Sequence, residues 1–290
     1  VLWAVLALTR HVRADTASRF TLPRVDTAAI DTITLQKPGD SVTLARAARG
    51  RWTVNAHPAD SARVSDLLRV LADTSSWGEL AAESRQSYAG LGVGSDSGQR
   101  VRVMSHGKVL LDITTGKRTS DAKGIYLRRG TDSAVYALHG ANVGDPFSRT
   151  VDDWRDKRIA SIAPDSVVTA EVHRGSASYT VRRAKAGWTI DAGPAADSSS
   201  VANWLVSFQN LSASGFATPA QADSAHFGKP RAAITIRGKG TVPLLSLAFD
   251  STAGGVWARA DSGGPVYRVD TWQLGQLVPA ESTLKAKRKP

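Results

Sequence analysis

The chain has 290 residues, a net charge of +11 and no cysteine, with 42% hydrophobic and 22% charged residues. Such a composition is globular, excludes wholesale disorder and leaves room for two domains of ordinary size. The missing cysteines exclude disulfides, thiolate zinc sites and cysteine nucleophiles together.

The charge excess is concentrated at the ends. Arg10, Arg13, Arg19 and Arg24 against Asp15 give +3, and Lys285, Lys287, Arg288 and Lys289 give +4. The body carries the remaining +4 and has a mixed surface, which disfavours a nucleic-acid groove. Val1 to Leu8 is an unbroken apolar run, short of the ~20 residues that span a bilayer as a helix. It reads as the exit end of an N-terminal membrane anchor or signal-type segment, with residues 1–24 as anchor remnant plus linker.

Ile30, Ile33 and Leu35, a Pro38-Gly39-Asp40 turn, and then Val42 and Leu44 predict a β-hairpin. Trp52 and Val54 predict a third strand with both large side chains on one face. Asp60 or Ser61 caps a helix in which Val64, Leu67, Leu68 and Leu71 form one apolar stripe, packed on the Trp52 face. Short strands follow around Trp77–Leu80, Val101–Met104, Val109–Ile113, Gly124–Leu127 and Ala134–Leu138. Their connections include Ser105-His106-Gly107 and Thr115-Gly116-Lys117, and Asn142–Trp154 reads as helix.

The pattern then recurs. Trp52 matches Trp188 at an offset of 136, and Val201, Trp204, Leu205 and Phe208 repeat the helix stripe. Strands around Ala233–Ile236, Leu244–Phe249, Gly255–Ala258 and Val266–Val269 repeat the later ones, with Tyr126 matching Trp257. The expectation is an α+β fold of two tandem repeats, residues 25–158 and 159–284, followed by a basic disordered tail, 285–290. Each repeat is a mainly antiparallel sheet with one principal amphipathic helix packed on it.

Motifs with a known chemistry do not assemble. The run from Gly90 to Gly94 lacks the preceding strand and following helix that would cradle a phosphate, so it reads as a turn. The six histidines are scattered, and no Gly-x-Ser-x-Gly elbow occurs. Asp152, Asp153 and Asp156 sit among Arg155, Lys157 and Arg158, which suggests caps and ion pairs instead of acid-base work. With Trp52, Trp188 and Trp204 in predicted core positions, Trp77, Trp154, Trp257 and Trp272 remain as surface platforms for carbohydrate stacking.

The repeated strand, Trp-x-β-branched, proline, cap and helix block, then Tyr88-Ala89-Gly90-Leu91, Gly124-Ile125-Tyr126-Leu127 and Asp153-Trp154-Arg155-Asp156-Lys157-Arg158, resembles the bacterial domain of unknown function 4340 family. The resemblance runs from about Thr21 to Leu277. It marks Trp52, Trp188, Tyr88, Gly90, Leu91, Tyr126, Asp153, Arg155, Asp156 and Lys157 as family positions without giving any of them a role. Ala89 is an insertion into the usual Tyr-Gly-Leu.

The resemblance implies a cell-membrane protein with a single N-terminal anchor, the bulk of the chain periplasmic or extracellular. It further implies an accessory role beside a gliding-motility-type ABC transporter, and no known catalysis, cofactor or ligand. The leading expectation is therefore a non-enzymatic binding or scaffolding module whose partners are the transporter components and the lipid bilayer. The alternatives are a binder of acidic polymers through the basic flanks, and a cell-envelope hydrolase whose site assembles only in space.

Overall fold

The computed structural model describes residues 19–286 except 74, 131, 141, 142, 192, 194 and 262. The apolar run Val1–Leu8 and the last four residues of the basic tail lie outside the described residues. The chain divides into two compact units between Asp156 and Lys157.

The first unit contains β1 (Arg19–Phe20), β2 (Thr32–Lys37), β3 (Asp40–Arg46), β4 (Trp52–Val54), β5 (His57–Pro58), α1 (Ser61–Ala72), β6 (Trp77–Ala82) and α2 (Tyr88–Leu91). It continues with β7 (Gln99–Ser105), β8 (Lys108–Arg118), β9 (Gly124–Arg129), β10 (Val135–His139) and α3 (Val151–Trp154). Its sheet has the order β1-β6-β10-β9-β8-β7-β2-β3-β4-β5.

The second unit opens with β11 (Arg158–Ala160), β12 (Thr169–Arg174), β13 (Ala177–Ala184), β14 (Gly187–Ile190), α4 (Ser198–Val206), β15 (Leu211–Ser212), β16 (Gly215–Phe216) and α5 (Pro219–Ser224). Next come β17 (Ala232–Arg237), β18 (Pro243–Thr252), β19 (Gly255–Ala260), β20 (Tyr267–Val269), α6 (Thr271–Leu277) and α7 (Glu281–Leu284). Its main sheet has the order β14-β13-β12-β17-β18-β19-β20-β16, and β11 pairs with β15 separately. Strand pairing is antiparallel in both main sheets, so the protein is α+β with mainly antiparallel sheets. Among the described residues no helix is long and apolar enough to cross a membrane.

Local chemistry accounts for the opening of each unit. Ile33 and Leu35 of β2, and Val42 and Leu44 of β3, all point into the core, and Gly39 supplies the left-handed turn between the strands at φ +79°. Asp60 caps α1 by accepting from the Ala62 and Arg63 amides at 2.9 and 3.2 Å. Val64, Leu67 and Leu71 are buried as expected, Leu68 is half-buried against the same core, and Val70 joins them as a buried member. Burying four such side chains is worth roughly 6 to 12 kcal/mol before entropy, an upper bound.

Trp52 and Trp188 are both core residues. The Arg46 guanidinium lies 5.0 Å from the Trp52 ring centre, with Nε donating to the Ile30 carbonyl at 2.8 Å and Nη2 to that of Thr27 at 3.0 Å. Arg183 lies 4.5 Å from Trp188, with Nε donating to the Val167 carbonyl at 2.9 Å and Nη2 to that of Pro164 at 3.0 Å. Each unit is closed by its last short helix. The Trp154 carbonyl accepts the Asp60 amide at 2.8 Å, and the Leu284 carbonyl accepts the Asp197 amide at 2.9 Å. A single antiparallel bridge follows in each case, Ala59 with Arg155 and Ala196 with Lys285.

Four expectations need correction. The segment expected to be one helix up to Trp154 holds a 3-10 turn at Pro146–Ser148 and the one-turn α3, because Arg149 and Thr150 are extended and Thr150 starts a new capping box with Asp153. Thr115-Gly116-Lys117 is a bulge inside β8, and the turn to β9 falls after Arg118. Trp154 and Trp257 are fully buried and are no surface platforms, whereas Trp77 and Trp272 are 48% and 64% exposed. Phe208 lies beyond the end of α4, and a tight turn from Leu205 keeps it on the buried face.

Candidate functional site

The residues bearing chemistry converge at one end of the first sheet. Antiparallel register sets Trp77, the first residue of β6, opposite His139, the last of β10, and His139 opposite Gly124, the first of β9. Three strand ends thus meet, and the turn from β8 to β9 folds over them. Gly124 is required there, since a Cβ would come within 2.5 Å of the Leu138 carbonyl oxygen. Gly140 is required by the Ser76 side chain, whose Oγ a Cβ would approach to 2.6 Å.

The turn is wired by its own side chains. Thr119, 8% exposed, donates its hydroxyl to Asp121 Oδ1 at 2.5 Å and accepts the Gly124 amide at 2.8 Å. The Lys123 amide donates to the same Asp121 oxygen at 3.1 Å, and Ala122 at the tip takes the left-handed conformation at φ +58°. The Thr119 hydroxyl, then the Lys123 amide, hold the Asp121 carboxyl below its ordinary range, with His139 and Lys123 adding charge attraction.

Behind this turn lies a cleft of about 660 Å³ lined by Trp77, Glu79, Arg118, Asp121, Lys123, His139 and Asp145 among others. The His139 ring stacks on Trp77, centroids 4.7 Å apart at 26°, and its Nε2 lies 3.3 Å from Glu79 Oε1. Arg118 pairs with Asp145 Oδ1. Gly144 lies beside that pair, where even a Cβ would reach only van der Waals contact with the Arg118 guanidinium. Three carboxylates, two fixed cations, one histidine and one half-exposed indole therefore share one cleft.

A second cleft of about 620 Å³ lies over Lys37, Arg100, Asp112 and Arg128. Arg100 grips Asp112 with two bonds of 2.9 and 2.6 Å, and Arg102 adds a third at 3.2 Å. The Arg100 bonds hold the Asp112 carboxyl below its ordinary range. The Gly90–Gly94 stretch, expected to be a turn, begins as the last two residues of α2 and turns only from Gly92, left-handed at φ +70°, with Gly94 on the cleft lining. Leu91's carbonyl packs so closely on Gly116 that a Cβ there would sit 2.3 Å away.

None of the ten family positions named above lines the Trp77 cleft. Trp52 and Trp188 are core, and Tyr88 lies under the Arg128 guanidinium at 5.0 Å while donating its hydroxyl to the Ser133 carbonyl at 3.1 Å. The Gly90 carbonyl takes the Lys117 ammonium at 3.0 Å, Leu91 abuts Gly116, and Tyr126 sits mid-strand opposite Ala137. Asp153 caps α3, Arg155 lies 3.5 Å from Asp152, and the Asp156 amide donates to Pro58. The Lys157 carbonyl accepts the Ala213 amide within the second unit. Of the cleft's side chains, only Trp77 was singled out from sequence; Glu79 lies two residues on, and the other polar partners, Arg118 to Asp145, are 41 to 68 residues away and share no spacing motif. Among the described residues, no group of three or more His, Asp or Glu is placed to hold a metal ion.

A family model described as "Domain of unknown function (DUF4340)" matches residues 52–230. The chain belongs to the DUF4340 family. The Trp77 cleft lies wholly within the part matched as DUF4340, as do Trp52, Trp188 and the other family positions. No curated protein and no solved structure matches this DUF4340 chain.

Proposed function

We propose that this chain is a non-enzymatic binding module, tethered to the cell membrane at its N-terminus with its bulk outside the cytoplasm, that serves a gliding-motility-type ABC transport assembly. The observation that carries the binding role is the state of the charges in the Trp77 cleft. Hydrolysis by paired carboxylates needs one acid kept protonated beside one that is ionised. Asp121 is drawn toward the ionised form, Glu79 is bonded to His139, and Asp145 is tied to Arg118. The groups are fixed as acceptors and donors, which suits recognition. The apolar run Val1–Leu8 supports the tether.

The module is read as two copies of one unit. Strand order supports this: β4-β3-β2-β7-β8-β9-β10-β6 in the first unit parallels β14-β13-β12-β17-β18-β19-β20-β16 in the second. The bonds of Arg46 and Arg183 run to carbonyls at the same offset of 137 residues, and the caps Asp60 and Asp197 share it. Arg128 over Tyr88 has its counterpart in Arg259 over Phe227, 4.5 Å from the ring centre.

The test is affinity purification of the full-length protein from native membranes, with Trp77→Ala in parallel. Recovery of ABC transporter components with the wild type supports the reading. Recovery from the cytosol alone, without those components, overturns it.

A further inference from the structure

We infer that the Trp77 cleft binds an uncharged saccharide, a pyranose unit of a neutral glycan. The inference rests on the reading of that cleft as a binding site. Trp77 is 48% exposed at its rim, and His139 stacked behind it holds the indole in one orientation. A flat, fixed, half-open indole suits the apolar C–H face of a sugar ring, with little side-chain entropy left to lose.

The polar groups suit the hydroxyl edge. Glu79 is held through Oε1, and Asp121 and Asp145 through Oδ1, so each carboxylate is oriented by one oxygen and offers the other as an acceptor. Arg118 and Lys123 stand beside them as donors. Adjacent acceptors and donors at fixed positions match vicinal hydroxyls, each of which both donates and accepts.

Charge narrows the class. Three carboxylates against Arg118 and Lys123 leave the cleft one charge negative, His139 aside, although the chain as a whole is +11. A polyanion would meet the carboxylates, and a cation would meet the two fixed cations. A neutral polyol satisfies both sets without burying an unpaired charge. The cleft volume of about 660 Å³ lies in the range of small-molecule sites and accommodates a disaccharide.

The experiment is calorimetric titration of the purified chain with cellobiose, maltose and N,N′-diacetylchitobiose, with a heparin tetrasaccharide and spermidine as charged probes. Saturable binding of a neutral disaccharide is expected. Trp77→Ala weakens it about tenfold or more, Trp77→Phe less, and Asp121→Asn several-fold, with unchanged circular dichroism. Trp272→Ala, which removes the other exposed tryptophan among the described residues, leaves affinity unchanged.

Absence of binding by every neutral probe up to about 10 mM, a range that reaches millimolar affinities, overturns the inference. So does preferential binding of heparin or spermidine, or neutral-sugar binding that survives Trp77→Ala. The two readings fail separately. Loss of transporter components on Trp77→Ala without any sugar binding removes the saccharide and keeps the module. Sugar binding by a protein found only in the cytosol does the reverse.

Discussion

Trp154 offers the sharpest test of how the first unit is closed. Its side chain is fully buried, its carbonyl accepts the Asp60 amide at 2.8 Å, and its indole Nε1 is buried without a hydrogen-bond partner among the described residues. Truncation to alanine removes an aromatic group that buries about 150–250 Å², worth roughly 4 to 6 kcal/mol at 25 cal/mol/Å². Measured losses for such truncations run at about 3–5 kcal/mol, and the α3 clasp on Asp60 loosens with it. Trp154→Phe keeps most of the apolar contact and deletes an unpaired donor whose burial costs about 1–3 kcal/mol. The smaller ring leaves a gap, so the net change for phenylalanine is expected within about 1.5 kcal/mol of zero. Urea unfolding followed by far-ultraviolet circular dichroism measures both variants at a common m-value. If Trp154→Phe proves as destabilising as Trp154→Ala, the indole N–H has a partner that matters, and the reasoning is wrong.

Further outcomes follow from the same geometry. Arg46→Lys and Arg183→Lys should each cost about 1–3 kcal/mol and by similar amounts, because each loses a fork to two carbonyls; a large inequality in denaturant midpoints would count against equivalent roles. Trp77→Ala should leave stability within about 0.5 kcal/mol of wild type, since the ring is half-exposed; a marked loss of melting temperature would make Trp77 a structural residue. Asp112 has a folded pKa below its unfolded value, mainly through the Arg100 bond. Its stabilisation is full above the unfolded pKa of about 3.9 and is lost as pH falls through the folded value. Asp112→Asn should therefore flatten the acid limb of a stability-versus-pH curve, and an unchanged acid limb would contradict that.

Elements specified by neighbours in sequence were legible, and those specified by distant neighbours were not. The β2–β3 hairpin and the Asp60 cap follow from alternation, Gly39 and a single carboxylate. The stripe of α1 is wider than its spacing suggests: the Pro146–Ser148 turn packs on the helix and Arg149 reaches the Arg63 carbonyl and Asp66, and Val70 is buried beside the half-buried Leu68. Thr115-Gly116-Lys117 has turn composition, but its glycine serves the close approach of the Leu91 carbonyl instead. Trp257 resembled a surface residue because the residues packed with it, Phe227, Ala217 and Ala225 beside Ala248 of the neighbouring strand, come from other segments of the unit. The cleft was invisible for the same reason. Glu79, Arg118, Asp121, His139 and Asp145 meet through strand register and a turn, and only the exposed Trp77 could be named in advance.

The most direct measurement is fluorine NMR of the chain labelled with 5-fluorotryptophan, titrated with the neutral disaccharides. Eight tryptophans give separable reporters, and Trp77→Phe assigns the resonance at the cleft. A saturable shift of the Trp77 signal, with the buried Trp154 and Trp257 signals unmoved, is the predicted result. A Trp77 signal that stays fixed, or a shift confined to Trp272, would contradict a binding cleft built on Trp77.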